Sequence, residues 1–517
     1  MEKFKLNWNL GTIIIWSFFL LKLLIHLFTY SNFELHRDAY LYYAQSEHLD
    51  WGFIAVPPFT AFIGKIATLL FGNTTFALRF FPALFGAFNI LLIGYSVKEL
   101  GGKHIAIFLA CLAYLISPAF LHVNTLFQPV SFNHFFWLLS SYFFLLLINR
   151  EEPRYWLFIA VAFGIGFLNK YSILFFYVAM GSGLLMTTSR KLFLSKYFII
   201  ACLLAIIIIL PNLIWQYQHN WPVLFHMSEL RSRQLVHVEP LSFLIDQLLM
   251  NVHALIIWMG ALLMLLFKPE NPNHRVFGLG YILLIVILLL GSGKSYYTLG
   301  IYPIYFAFGS YYFELLVKKR KILISGILAS SMIFTWWGSI PFSGIPFGDF
   351  DLVRNTNGYR WEDGTLHDLP QDMADMTGWK EIGTKTAEIY ASLGEDAKNF
   401  DIFCDHYGLA GSVMFYGKEK ILPQPISFNA SFIFWSPDNL EKDHLIWVYA
   451  PYKNDTNPEQ RLNELFESYE LSATINNPDF RENGVKIFIC KNRNKKAKEF
   501  YSNRMGELKS RFIRNSN

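Results

Sequence analysis

The chain has 517 residues, 53% apolar and 18% aromatic, with 51 Phe and only 16% charged, where a soluble protein carries about 25%. A formal charge of +5 without a basic stripe argues against a nucleic-acid binder. Four cysteines with no Cys-x-x-Cys or His/Cys spacing argue against a zinc module.

The elements fall into two regimes, with one composition shift near residue 340. The first is rich in apolar runs long enough to cross a hydrocarbon core, which takes roughly 20 residues. These predict about eleven spans at 10–30, 76–96, 104–125, 130–149, 154–169, 171–188, 196–216, 243–267, 275–292, 297–317 and 321–340. Met1-Glu2-Lys3-Phe4-Lys5 precedes a first run too long for a signal peptide, so it reads as an uncleaved anchor. The apolar stretch 57–71 is short and opens with Pro57-Pro58; it reads as a helix lying at the interface. Cys111 and Cys202 fall inside spans and read as small hydrophobes.

Lys and Arg in alternate loops set the orientation. Lys3, Lys5, Lys98, Lys103, Arg150, Arg154, Arg190, Lys191, Lys196, Lys268, Arg275, Lys318, Lys319, Arg320 and Lys321 make fifteen on one side. Arg37, Lys65, Arg79, Lys170, Arg231, Arg233 and Lys294 make seven on the other. The N-terminus is then cytoplasmic, and an odd number of spans carries residues 341–517 outside. Cations on the translocated side run against this rule, and one reason for them is a bound anion such as a lipid phosphate.

The first outer loop holds His36-Arg37-Asp38-Ala39-Tyr40-Leu41-Tyr42-Tyr43 and then Val56-Pro57-Pro58-Phe59. Asp38 opens a short helix with Tyr40, Tyr43 and Ala44 on one face. Two roles compete and are compatible: an N-cap, or a base beside a departing phosphate held by cations. Glu47 and Asp50 read as solvated. Lys170 and Lys294 end spans next to tyrosines; each is either a snorkelling lysine or a phosphate contact. Lys22 and His26 share one face of the first span. The loop 217–242 holds His219, His226, Glu229, Arg231, Arg233 and His237, suited to line a groove, with His219 or Glu229 as proton donors.

In the tail, strands alternate with helices and suggest a small α/β domain. Helices are expected from Asp375 to about Leu393, near His406–Tyr416, Pro458–Ser468 and Lys495–Arg511. Strands are expected at Phe400–Cys404, Leu445–Tyr449, Tyr469–Ile475 and Val485–Cys490. No Gly-rich phosphate loop or nucleophile elbow occurs, so covering the outer cavity, choosing the acceptor or a purely structural task is expected of the tail, not catalysis. Spacing alone does not decide whether Cys404 and Cys490 pair.

Several motifs, in this order, carry a resemblance. They are Asp38-Ala39-Tyr40 after the first span, Pro57-Pro58, Phe71-Gly72 with Leu78-Arg79-Phe80, and Gly164-Ile165-Gly166-Phe167-Leu168-Asn169-Lys170-Tyr171. Then follow Pro211-Asn212-Leu213-Ile214-Trp215 with His219-Asn220-Trp221-Pro222, and Lys294-Ser295-Tyr296-Tyr297 with Tyr302-Pro303. Over residues 10–310 the chain resembles the bacterial relatives of protein O-mannosyltransferases and aminoarabinose transferases, polytopic glycosyltransferases of the GT-C fold. Gly378-Trp379 resembles a motif of their tails.

The resemblance implies an inner-membrane enzyme that moves a sugar from a polyprenyl-phosphate carrier to a lipid A, glycan or protein acceptor on the periplasmic side. It makes Asp38 the catalytic residue, which activates the acceptor or supports the sugar's developing charge. Arg37, Lys170 and Lys294 then hold the phosphate, Tyr40 and Tyr43 shape the sugar pocket, and Tyr171, His219, Arg231, Arg233 and Tyr297 complete the substrate contacts. Two departures stand out. Ala39 replaces a second acid common in the family, and Gln128-Pro129-Val130-Ser131-Phe132-Asn133 carries none in the second outer loop. Both weaken a two-carboxylate or metal-bridged mechanism; no cofactor is expected, with dependence on a divalent metal left open. Rival readings are a flippase for a lipid-linked sugar, disfavoured by the lack of an internal repeat, and an accessory membrane subunit.

Overall fold

A computed structural model describes residues 9–317, 319–418, 422–451 and 458–512. Lys3, Lys5 and Lys318 of the orientation count lie outside the described residues. The chain divides into two compact units: residues 1–30, 79–211 and 230–353 in one, and 31–78, 212–229 and 354–517 in the other.

The first unit is helical and apolar. Each expected span contains helix, and among the described residues six helices are long and apolar enough to cross a membrane, or up to eight if each of two bent pairs is one span. The protein is thus a multi-pass membrane protein. The span expected at 104–125 is two helices, His104–Leu115 and Pro118–Val123. The residue before a proline disfavours the helical region, so Pro118 ends the first of them. The span expected at 243–267 bends by 61° between Pro240–Leu249 and Val252–Phe267. The span at 297–317 opens as a 3-10 turn, Ser295–Ile301, before the helix Tyr302–Leu316. Lys22, fully buried, donates to the carbonyl of Phe120 at 3.1 Å and lies 5.3 Å from the Tyr114 ring centre. Its partner is a backbone oxygen, not an acid, and His26 meets Thr125 at 3.4 Å.

The second unit joins the first outer loop to the tail. Its small hairpin pairs β1 (Tyr359–Arg360) with β2 (Leu366–His367). Its main sheet has the order β3 (Phe400–Cys404), β4 (His444–Tyr449), β6 (Lys486–Arg493), β5 (Phe466–Thr474). β3 and β4 are parallel; the other pairings are antiparallel. Helices Trp379–Ser392, Tyr407–Gly417, Pro458–Leu465 and Lys495–Ser510 lie within a few residues of expectation. Ile54, from the outer loop, joins the tail core of Phe403, Trp447, Phe488, Tyr501 and Met505. Cys404 and Cys490 stand on strands separated by β4. Two strand spacings, about 9.5 Å, exceed disulfide reach, and both thiols are free and buried.

The outer-loop stretch 57–71 forms the helix Phe59–Phe71. Thr60, Ala61, Ile63, Gly64 and Ala67 are buried, while Phe62, Leu69 and Leu70 are exposed. Apolar side chains thus lie on both its buried and its exposed faces.

Candidate functional site around Asp38

The first-loop helix runs Arg37–Glu47, and its N-cap is His36, not Asp38. The His36 Nδ1 accepts the Asp38 backbone N–H at 3.1 Å. That corrects the N-cap role considered for Asp38 and matters chemically: the cap is supplied two residues earlier, so the Asp38 carboxylate is left for other work.

Packing then fixes what surrounds it. Tyr40, Tyr43 and Ala44 turn inward and are fully buried. Tyr40 packs on Trp379, Phe415 and Tyr416, and its hydroxyl meets that of Tyr416 at 3.1 Å. Tyr43 packs edge-on against Phe415. These are packing positions between the first-loop helix and the tail helix Tyr407–Gly417, rather than walls of an open pocket. Gly408 and Gly411 permit this approach. A Cβ at Gly411 would lie 2.6 Å from the Tyr40 carbonyl oxygen, and one at Gly408 would lie 2.7 Å from Arg37 Cγ. A short backbone ladder adds to it, with Glu34 N–H donating to Met376 O and Arg37 N–H to Asp375 O.

The result is a cluster of alternating charge. Tyr407 donates its hydroxyl to Asp38 Oδ1 at 2.6 Å. Arg37 Nε lies 3.7 Å from the same oxygen, and the Arg37 guanidinium lies 5.5 Å from the Tyr407 ring centre. Among the described residues no hydrogen bond reaches Oδ2, and the Asp38 side chain keeps 30% exposure. Behind it, His36 Nε2 faces Asp372 at 3.4 Å and Asp375 at 3.7 Å, and Arg481 donates to Asp375 Oδ2 at 3.0 Å. His406 caps the tail helix as His36 caps the first-loop helix: its Nδ1 accepts the Gly408 N–H at 3.1 Å, and its Nε2 lies 3.5 Å from Glu482.

Charge follows from this geometry. Burial alone would raise the Asp38 pKa, but Arg37, the Tyr407 hydrogen bond and Arg481 hold it below the ordinary carboxylate value. Asp38 is therefore an anion at neutral pH with one oxygen occupied and one open. Burial likewise opposes ionisation of Glu482, yet His406, Arg37 and Arg481 outweigh it and bring its pKa down to about 2.

His36, Asp372 and Asp375 bring three ligand-type atoms within 4.8 Å of one another. Because the His36 Nδ1 accepts the Asp38 N–H, the ring proton sits on Nε2, the atom facing the two carboxylates. The trio is thus a donor and two acceptors, and a cation would have to displace that proton.

The remaining expected residues are spread over both units. In the second, His219 stacks on Trp215 with 4.1 Å between ring centres, and its Nδ1 meets the Trp215 carbonyl. Asp50 and Glu47 are not merely solvated. Asp50 accepts from the Trp215 Nε1 at 2.7 Å, and Glu47 bridges Lys65 at 3.2 Å and Lys418 at 3.0 Å. In the first unit, Lys170 lies 5.3 Å from the Tyr297 ring centre and 5.6 Å from that of Tyr296. Lys294 donates to Gln234 Oε1 at 2.7 Å and lies 6.0 Å from the Tyr296 ring centre. Tyr171 packs against Phe167, and Arg231 and Arg233 are exposed at the end of the helix Pro222–Arg233. Sequence reasoning missed Tyr407, Asp375, Arg481 and Glu482. Only the expected helix starts at Asp375 and near His406 marked the positions of two of them.

Residues 55–215 match the family described as dolichyl-phosphate-mannose-protein mannosyltransferase. A lipid A galacturonosyltransferase, RgtD, from Rhizobium johnstonii is 24% identical over 221 residues, 43% of this chain. The match spans 46% of that relative, so the chain aligns to about half its length. The structure of ArnT from Cupriavidus metallidurans bound to undecaprenyl phosphate superposes with a TM-score of 0.60 at 13% identity, covering 92% of this chain and 97% of that one. The apo form gives 0.59 at 13%, covering 93% and 98%. Residues 55–215 thus match one family model, and the chain shares the fold of the Cupriavidus ArnT structures over nearly its whole length.

Proposed function

We propose that the chain is an integral-membrane glycosyltransferase that moves a sugar from a polyprenyl-phosphate carrier to an acceptor hydroxyl, with Asp38 as the reacting carboxylate. The observation that carries the reading is the open Oδ2 of an ionised aspartate, flanked by Arg37, at the start of a helix in the first outer loop. Oδ2 takes the acceptor proton as the acceptor oxygen bonds to the anomeric carbon. The bond from that carbon to the carrier oxygen breaks, and its electron pair leaves on the phosphate. Arg37, Lys170 and Lys294 are assigned to the phosphate. A lysine resting on tyrosine faces is partly desolvated, which strengthens its attraction for an anion.

A carrier of the undecaprenyl-phosphate type is supported by the ligand of the Cupriavidus ArnT structure, and a lipid A acceptor by the named activity of RgtD. The excess of Lys and Arg in one set of loops supports a cytoplasmic N-terminus, with Asp38 and the tail from residue 341 on the periplasmic side of the inner membrane.

The test is release of free carrier phosphate by the full chain in detergent, supplied with a polyprenyl-phosphate sugar and lipid A. The wild type releases it in step with sugar transfer, and Asp38→Asn, at equal abundance, does not. Full activity of Asp38→Asn overturns the assignment of the site. No release by the wild type, with carrier translocated in vesicles instead, favours a flippase.

A further inference from the structure

We infer that Tyr407, in the tail, is a positioning residue for Asp38, so that the tail completes the reacting centre as well as packing against it. This rests on the role proposed for Asp38. The geometry is specific. The Tyr407 hydroxyl is 2.6 Å from Asp38 Oδ1, and the Arg37 guanidinium covers its ring. The residue is placed by backbone, not by a flexible arm: it is the first residue of the tail helix, next to the cap His406, and its neighbour Gly408 abuts Arg37 and Trp379.

The hydroxyl does two things. It fixes Oδ1 and leaves Oδ2 without a hydrogen bond among the described residues. It also donates to the carboxylate form, and a hydrogen bond to the charged form of a group favours that form. Burial, opposed by Arg37 and supported by the Asp38 charge, pushes the phenol pKa well above its ordinary value, so Tyr407 stays a donor. The other groups facing Asp38 are His36, Arg37 and Tyr42 from its own segment and Arg481 from the tail, while Asp375 and Glu482 act on Arg37. None of them is changed by Tyr407→Phe, which keeps the ring against Arg37 and removes only the donor.

The experiment has two readouts on the full-length protein. In the transfer assay, Tyr407→Phe lowers kcat about tenfold with donor KM changed less than twofold, and the acid limb of the pH profile moves up by about one pH unit. In difference infrared titration, subtracting Asp38→Asn to isolate the Asp38 carboxylate band, the midpoint moves up by the same amount. An unmoved midpoint overturns the inference, whatever the activity shows. Activity retained in Asp38→Asn would instead overturn the proposed function and leave the infrared result to decide the placement. Tyr407→Lys, with nearly the reach of the phenol, restores a donor and holds the midpoint at or below the wild-type value. Should the Phe variant not fold, Lys against Tyr407→Met carries the same comparison.

Discussion

The surroundings of Asp38 in the second unit and of Lys170 and Lys294 in the first hold their charges in different ways. Around Asp38 the charged groups are interlocked: Arg37 and Tyr407 on one oxygen, His36 between two carboxylates, Arg481 on Asp375, His406 on Glu482. Around the lysines the contacts named are aromatic faces and an amide. The first arrangement preorganises one reacting atom, because each neighbour is held by another. The second suits a cation that must take and release a mobile anion, since ring and amide contacts compete weakly with phosphate.

Substitutions sharpen or break that contrast. Asp38→Asn is expected to cost the most, about 10²- to 10⁴-fold in kcat, with no change in abundance. A loss that appears only in KM would make Asp38 a binding group. Lys170→Gln and Lys294→Gln are expected to raise donor KM by about ten- to a hundredfold each, with kcat nearly intact, as measured by initial rates over a donor series. If kcat falls and KM stays, the lysines belong to the reacting centre and the contrast fails.

Gly411→Val tests whether interlocking needs close packing. Its Cβ would crowd the Tyr40 carbonyl, and a loss of about 1–3 kcal/mol, read by thermal unfolding in detergent, is the expected outcome. An unchanged melting point would mean that the two helices separate at little cost.

Glu482→Gln has the smallest expected effect and a characteristic pH dependence. The folded pKa of about 2 lies below the ordinary 4.5, so its ionised form stabilises the fold above pH 4.5, and that contribution fades as pH falls toward 2. The variant is expected to be less stable than wild type by about 1–2 kcal/mol at pH 7 and equal to it near pH 2. A constant difference across that range would show that the shape of the side chain matters rather than its charge.

Legibility differed between the same two regions. The apolar spans were readable because crossing a bilayer demands long apolar helices wherever they occur. Pro118 and the bend after Leu249 changed how those spans are built, not where they lie. Asp38 and Arg37 were readable as an unusual pair in an outer loop. The reading of Asp38 as a cap failed because His36, which also carries a ring acceptor, took that role. Tyr40 and Tyr43 looked like pocket residues because aromatic rings at helical spacing have the same pattern whether they face a ligand or a packed neighbour. Glu47 and Asp50 looked solvated because their partners, Lys418 and Trp215, are far off in sequence.

Sequence by itself determined the class of the molecule, where its apolar helices lie though not how many cross in one piece, the tail's α/β pattern and the aspartate worth testing, since hydropathy and periodicity are local properties. Tertiary structure alone decided what that aspartate touches. Tyr407 lies 369 positions from Asp38, and no local pattern encodes a hydrogen bond whose two ends meet only after the outer loop and the tail have packed together.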